Sequence, residues 1–294
     1  MSLLIVGCGY VGMQVAKARQ TAGESVAALT RGGNDRLAAL AQAGIEPIEA
    51  DWLDVDRNWT LPSVRCALVA VPHRPYESFG ERTHCIGLAN IMARLPDVER
   101  LVVLSTTGVY HQTGGEWVDE SSETRPQRIG PQIALMAEQW LVKNLPPHQA
   151  TSLRLAGIYG PGRIPLINNL RDREPIPVAE GDLNLIHIDD ITNAVIKLLA
   201  GPVAHRLYVL SDGRPVPRRA FYEDAARIFA TPPPVFIDPA SDSSRARRGE
   251  SHKRIRPERI MTDLALQLKY PDHIAGLTAI AAELEKSSGH LEGM

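Results

Sequence analysis

The chain has 294 residues, 44% hydrophobic and 22% charged, with a formal net charge of -2, enough to bury one large core or two smaller ones. The slightly acidic balance argues against a nucleic-acid partner, which would call for a basic face or an aromatic stacking platform. Three cysteines (Cys8, Cys66, Cys85) without C-x-x-C spacing fit a reducing, cytoplasmic setting, and no apolar run reaches the roughly 18 residues that span a membrane.

The N-terminal "MSLLIVGCGY" lacks a basic leader and breaks at glycine, so it reads as a first strand rather than a signal peptide. From there, short β-branched runs alternate with longer helical patterns. "LLIVG" (3–7), "SVAALT" (25–30), "EPIEA" (46–50), "CALVAV" (66–71), "RLVVLS" (100–105) and "ATSLRLA" (150–156) read as strands. "YVGMQVAKARQTAG" places Val11, Val15 and Ala18 at helical spacing, "NDRLAALAQAG" stops at Gly44, and "ERTHCIGLANIMARL" is a third helix. "RIGPQIALMAEQW" (128–140) is a helix that begins beside a proline. Alternation with nearly continuous apolar strands predicts an α/β fold, a doubly wound parallel sheet covered on both faces.

After Tyr159 the texture changes. Prolines and glycines cluster in "YGPGRIP" and "REPIPVAEGD", followed by a helix in "DDITNAVIKLLAG" and a strand in "RLYVLS". "PRRAFYEDAARIF" reads as a helix with Pro217 near its start. The polar segment 239–254 reads as a loop and the last ten residues as a frayed tail. No metal-ligand spacing and no internal repeat are present.

The chemistry begins at "GCGYVG". Gly7-x-Gly9-x-x-Gly12 follows a strand and opens a helix. Gly7 permits the tight turn, Gly9 lets backbone approach a pyrophosphate, and Gly12 allows close helix–strand packing. Tyr10 and Val11 lie inside this turn. At the end of the second strand an acid would accept from a ribose hydroxyl and favour NAD. The chain has Thr30-Arg31-Gly32-Gly33 instead, and an arginine fork suits a 2′-phosphate. NADP(H) is therefore the preferred cofactor and NAD(H) the alternative.

Behind the glycine motif come "RLVVLSTTGVYH", "SLRLAGIYGPGR" and "NLIHIDDI", in that order. The ordered set resembles the extended short-chain dehydrogenase/reductases, the NAD-dependent epimerase/dehydratase group, over residues 2 to about 275. The resemblance implies a Rossmann domain over 1–160, completed by sheet segments within about 182–212. It also implies a small substrate-binding region built from 161–181 and 213–294. It assigns Asp51 and Trp52 to the adenine, and Ala70, Val71 and Pro72 to the strand running under the cofactor. Tyr159 falls near the nicotinamide end and Arg163 faces an anionic group of a small-molecule substrate. His187 is a substrate-side candidate or an interface histidine, and Asp190 a cap for a helix over 191–200 or a substrate contact. A homodimer is common in the family.

The resemblance also implies an acid/base engine: a tyrosine with a lysine four residues on, and a nearby hydroxyl that holds the substrate oxygen. Thr106 matches the hydroxyl. Counting back from Glu138, however, reaches Ala134 where the lysine belongs and Gly130 where the tyrosine belongs. None of the seven tyrosines has lysine at the fourth following position. The chain is thus an atypical member lacking the Tyr-x-x-x-Lys pair. Two readings remain: an enzyme acting on a small carbonyl, alcohol or sugar-like metabolite through a relocated donor, or a catalytically silent NADP(H)-binding protein. Tyr110 and His111 lead the donor candidates, with Tyr159 and His73 of "VPHRP" behind them.

Overall fold

The structure, a computed structural model, describes residues 2–55, 59–73, 80–177, 180–238 and 252–289. Its centre is a seven-stranded, fully parallel sheet. In chain order the strands are β1 (Leu3–Val6), β2 (Val26–Thr30), β3 (Glu46–Glu49), β4 (Cys66–Val69), β5 (Arg100–Thr106), then β7 (Ala150–Leu155) and β12 (Leu207–Leu210), with β6 (Glu116–Val118) outside the sheet. The order across the sheet is β12-β7-β5-β4-β1-β2-β3. All six strands expected in the first 156 residues form, as does the later "RLYVLS" strand. The direction of winding reverses between β1 and β4, the place where open α/β sheets leave a crevice.

Period-two alternation decides what each face buries. Leu3 and Ile5 of β1 point to one side, where they meet Val11 and Val15 of α1 (Tyr10–Thr21). Leu40 of α2 (Asn34–Gln42) joins the same layer. Leu4 and Val6 point to the other side, against Leu88 and Ile91 of α3 (Thr83–Arg94) and Ala137 and Leu141 of α4 (Ile129–Asn144). Burial on both faces is why these strands carry no polar alternation. Helix α4 admits Pro131 because it lies in the first turn, where a missing N–H leaves no bond unmade.

Beyond β7 the chain makes short paired strands and a separate small core. Strand β8 (Gly157–Tyr159) leads to α5 (Ile167–Arg171), β9 (Ile176–Pro177), β10 (Asp182–Leu183) and β11 (Leu185–His187). Helix α6 (Ile188–Ala200) then returns to the main sheet beside α1. After β12 come β13 (Val216–Pro217), α7 (Arg218–Ile228), β14 (Phe236–Ile237), β15 (Lys253–Ile255), α8 (Glu258–Asp263) and α9 (His273–Gly289). Tyr159, Phe221, Tyr222, Leu277 and Ile280 form the centre of this third core.

Several expectations for this half are corrected. Helix α6 starts at Ile188, not 191, and its N-cap is His187, whose Nδ1 accepts from the Asp189 N–H at 3.2 Å. Asp190 caps nothing. Its carboxylate accepts from the backbone N–H groups of Lys269 (2.6 Å) and Tyr270 (3.1 Å), pinning a segment 80 residues away. The expected loop over 239–254 lies outside the described residues except at its end, where Lys253 and Arg254 pair with β6. Residues 285–289 of the expected tail continue α9, while 290–294 lie outside the described residues. Among the described residues no helix is long and apolar enough to cross a membrane.

Candidate active site

At the reversal between β1 and β4 two cavities share Val71 and Pro72, so they form the two ends of one groove. The smaller, about 240 Å3, is lined by Gly7, Gly9, Thr30, Arg31, Gly32, Arg36 and Trp52 among others. Gly7 holds a φ of +86°, a conformation that side-chain-bearing residues rarely adopt, and an added Cβ would press on the Ala70 backbone at 3.0 Å. A Cβ on Gly12 would lie 2.7 Å from the Gly7 carbonyl oxygen, so α1 and β1 approach closely only with glycine there. Gly9, by contrast, faces open space where it caps α1. The first-turn N–H groups of a helix have no intrahelical acceptor, which makes this concave end fit a pyrophosphate.

Trp52 is buried under this end. It packs edge-on to His84 with ring centres 5.2 Å apart, and Asn90 Nδ2 donates to its carbonyl at 2.8 Å. Gly87 on α3 is required here, since a Cβ would come within 2.4 Å of the indole. Asp51 does not line either cavity; its Oδ1 accepts from the Leu53 N–H at 3.0 Å and shapes the turn that presents Trp52. Arg31 and Thr30 stand where the sequence put them. Arg36 joins them from the first turn of α2, its guanidinium donating to the Cys8 carbonyl. Sequence reading missed Arg36 because helical spacing alone gives no reason to turn it towards the glycine turn.

The larger cavity, about 470 Å3, is walled by β4, β5 and α4. Tyr10, Val11, Ala70, Val71, Pro72, Thr106 and Arg163 all line it, Tyr10 and Val11 reaching this end rather than the smaller cavity. Gly130 and Ala134 line it too, on the face of α4 where the sequence register put them. Thr106 Oγ1 accepts from the Gly108 N–H at 3.0 Å and keeps its own proton for a partner. Ser105 Oγ donates to Glu138 Oε1 at 2.5 Å. Arg163 lies 5.5 Å from the Tyr10 ring centre, and the Tyr10 hydroxyl donates to the Pro161 carbonyl at 2.9 Å. Arg128, His73 and His84 complete the lining. Arg128 and His84 carry no sequence signal, being delivered by the approach to α4 and by α3.

Besides Asp51, four expected residues are not brought to the groove. Tyr110 is buried; its hydroxyl donates to the Asp119 carbonyl (2.7 Å) and accepts from Arg154 (2.9 Å). Burial pushes its phenol up to about 12, with Arg154 pulling the other way. His111 turns towards Glu123, 4.0 Å away. Tyr159 belongs to the third core, its hydroxyl donating to the Asp272 carbonyl at 3.2 Å, and burial drives its pKa well up. His187 is fully enclosed between Tyr159 and Tyr270, and burial pushes its imidazole down to about 4.

The parallel sheet, its order and the glycine turn define a Rossmann fold of the short-chain dehydrogenase/reductase kind. The chain belongs to the NAD dependent epimerase/dehydratase family, whose model matches residues 3–210. It is 27% identical over 275 residues to Protein YeeZ of Escherichia coli, covering 91% of this chain and 96% of that one. A conserved protein of unknown function from Silicibacter pomeroyi is similar in structure, at 30% identity and a TM-score of 0.81, with 97% and 99% of the two chains covered. Human epimerase family protein SDR39U1, solved with NADPH, shares the fold at 14% identity and a TM-score of 0.78, over 96% of this chain and 99% of its own.

Proposed function

We propose that this chain is an NADP(H)-binding oxidoreductase that acts on a small anionic carbonyl, alcohol or sugar-like metabolite through a non-standard proton donor. The groove at the sheet's reversal point is the observation behind this reading: a glycine turn at one end, a walled cavity with a free hydroxyl donor at the other. The pyrophosphate would lie on the Gly7–Gly12 turn, the adenine beside Trp52, and the nicotinamide in the larger cavity. Bound there, the dinucleotide supplies hydride exchange. The chain itself binds, orients and moves the proton.

Arg31 and Arg36 support the phosphorylated cofactor, since two guanidinium groups line the end where a 2′-phosphate would sit and, among the described residues, no carboxylate lines that cavity. The NADPH in the human relative fits this choice, although another relative is described with UDP-glucose and NAD. Arg128 and Arg163 support an anionic substrate, because Glu138, the one carboxylate among the described residues that line the larger cavity, is engaged by Arg154. The third core beside the groove suits a substrate-binding region, and three cysteines without a disulfide among the described residues suit a reducing cytoplasm.

Replacing Arg31 with alanine removes charge-assisted phosphate bonds of about 1.5–3 kcal/mol, so NADPH should bind roughly 10–100-fold more weakly while NADH changes little. Titration calorimetry with both cofactors measures this. NADH binding as tight as NADPH in the unaltered chain would reject the preference. A silent NADP(H) binder is the second reading, favoured by Gly130 and Ala134 standing where the family's pair would act. It predicts tight NADPH binding with no oxidation across a broad carbonyl panel.

A further inference from the structure

If protons are exchanged in the larger cavity, one of its own side chains must do it. Tyr110, His111, Tyr159 and His187 do not line it. Tyr10 lines it, but its hydroxyl is committed to the Pro161 carbonyl and burial raises its pKa. His84 lines it, with Nε2 donating to the Val71 carbonyl at 3.0 Å. His73 is different. It follows the end of β4, and both of its ring nitrogens are buried without a hydrogen-bond partner among the described residues.

The position of that ring is the second observation. A Cβ on Gly130 would lie 3.4 Å from His73 Cδ2 and 3.8 Å from its Cβ. The imidazole therefore packs directly over the residue of α4 at which the family's tyrosine would begin. The ring thus stands at contact distance from the position where the family's tyrosine would start, on the same wall of the cavity. Ala134, one turn on, also lines the cavity and leaves no ammonium beside it. Two unpartnered ring nitrogens are costly to bury, and an incoming hydroxyl or carbonyl would satisfy one of them.

We propose that His73 is the catalytic proton donor and acceptor, occupying the place of the missing tyrosine, with Thr106 and Arg128 orienting the substrate. This rests on the oxidoreductase reading. In the reducing direction a protonated His73 ring nitrogen would give its proton to the substrate oxygen, while the bound reduced dinucleotide would supply the hydride to the carbonyl carbon. The products are an alcohol, the oxidised dinucleotide and a neutral imidazole that regains its proton from water. An imidazole carries a donor and an acceptor nitrogen on one ring, so the same side chain can serve either direction of the reaction. Arg128 Nη2 and Thr106 Oγ1 converge, each 3.2 Å from the point where a Cβ on Gly108 would stand.

The test uses the full chain with NADPH and a panel of short 2-oxo acids and phosphorylated aldehydes. His73→Gln should lower kcat by roughly 100-fold or more, with KM and the Kd for NADPH moving less than about threefold. In the unaltered chain labelled at histidine Cε1, the resonance that disappears in H73Q should shift on saturation with NADPH. Full turnover by H73Q, or no shift of that resonance, overturns the proposal while leaving the oxidoreductase reading intact. NADPH binding without turnover of any compound by the unaltered chain overturns that reading and this proposal together.

Discussion

Replacing Arg154 with alanine is expected to destabilise the protein by about 3–5 kcal/mol, read as a lower urea midpoint at unchanged slope. Arg154 and Glu138 are both buried, and the guanidinium donates to both carboxylate oxygens, Nε at 3.0 Å to Oε1 and Nη2 at 2.6 Å to Oε2. Its Nη1 also holds the Tyr110 hydroxyl at 2.9 Å. Removing the arginine leaves a buried carboxylate with only Ser105 for a partner. The expense comes from that orphaned charge rather than from the attraction itself. Replacing both residues with methionine should therefore be less harmful than Arg154→Ala alone, and a double variant as unstable as the single would contradict this. The same network explains the fate of Glu138: it lines the larger cavity, but its carboxylate ties α4 to β5 and β7 rather than serving the substrate.

What the sequence made legible follows from how local each signal is. The strands were readable because burial on both faces leaves long apolar runs, and the glycine turn because Gly7 and Gly12 satisfy backbone constraints no other residue meets. Thr106 and Arg163 were readable from motif register, and both reach the cavity. Tyr110 and His111 share that register yet miss it, because the one-turn helix Thr107–Val109 carries the chain away immediately after Thr106. Asp190 stands where a cap is common, but its partners are backbone groups 79 and 80 residues on, which no local pattern encodes. Arg36 and Arg128 were invisible for the same reason. The neighbour of His73 across the cavity, Gly130, likewise lies 57 positions along the chain.

Changing Asp212 to asparagine is expected to stabilise the protein at alkaline pH and to do little near pH 4. Asp212 follows β12, where Oδ1 accepts from the Arg214 N–H at 2.9 Å and Oδ2 has no hydrogen-bond partner among the described residues. Burial raises its carboxyl from 3.8 to about 7, with Asp272 adding to the effect and Arg214 and backbone donors opposing it. A carboxyl whose folded pKa is raised favours the folded state fully below 3.8 and loses that contribution as pH climbs through about 7. Asparagine keeps the Oδ1 acceptor and supplies a donor at the unpartnered position without a charge. Above pH 8 the variant should be more stable by roughly 2–4 kcal/mol, several degrees in Tm. His187 works against this trend in the unaltered chain: depressed to about 4, it takes stability away as pH falls from 6.5. Comparing D212N with the unaltered chain at each pH cancels that contribution, so the difference in Tm between them reads Asp212 alone. A difference that does not grow between pH 5 and pH 8.5 would show that the carboxyl ionises in the folded state at no expense.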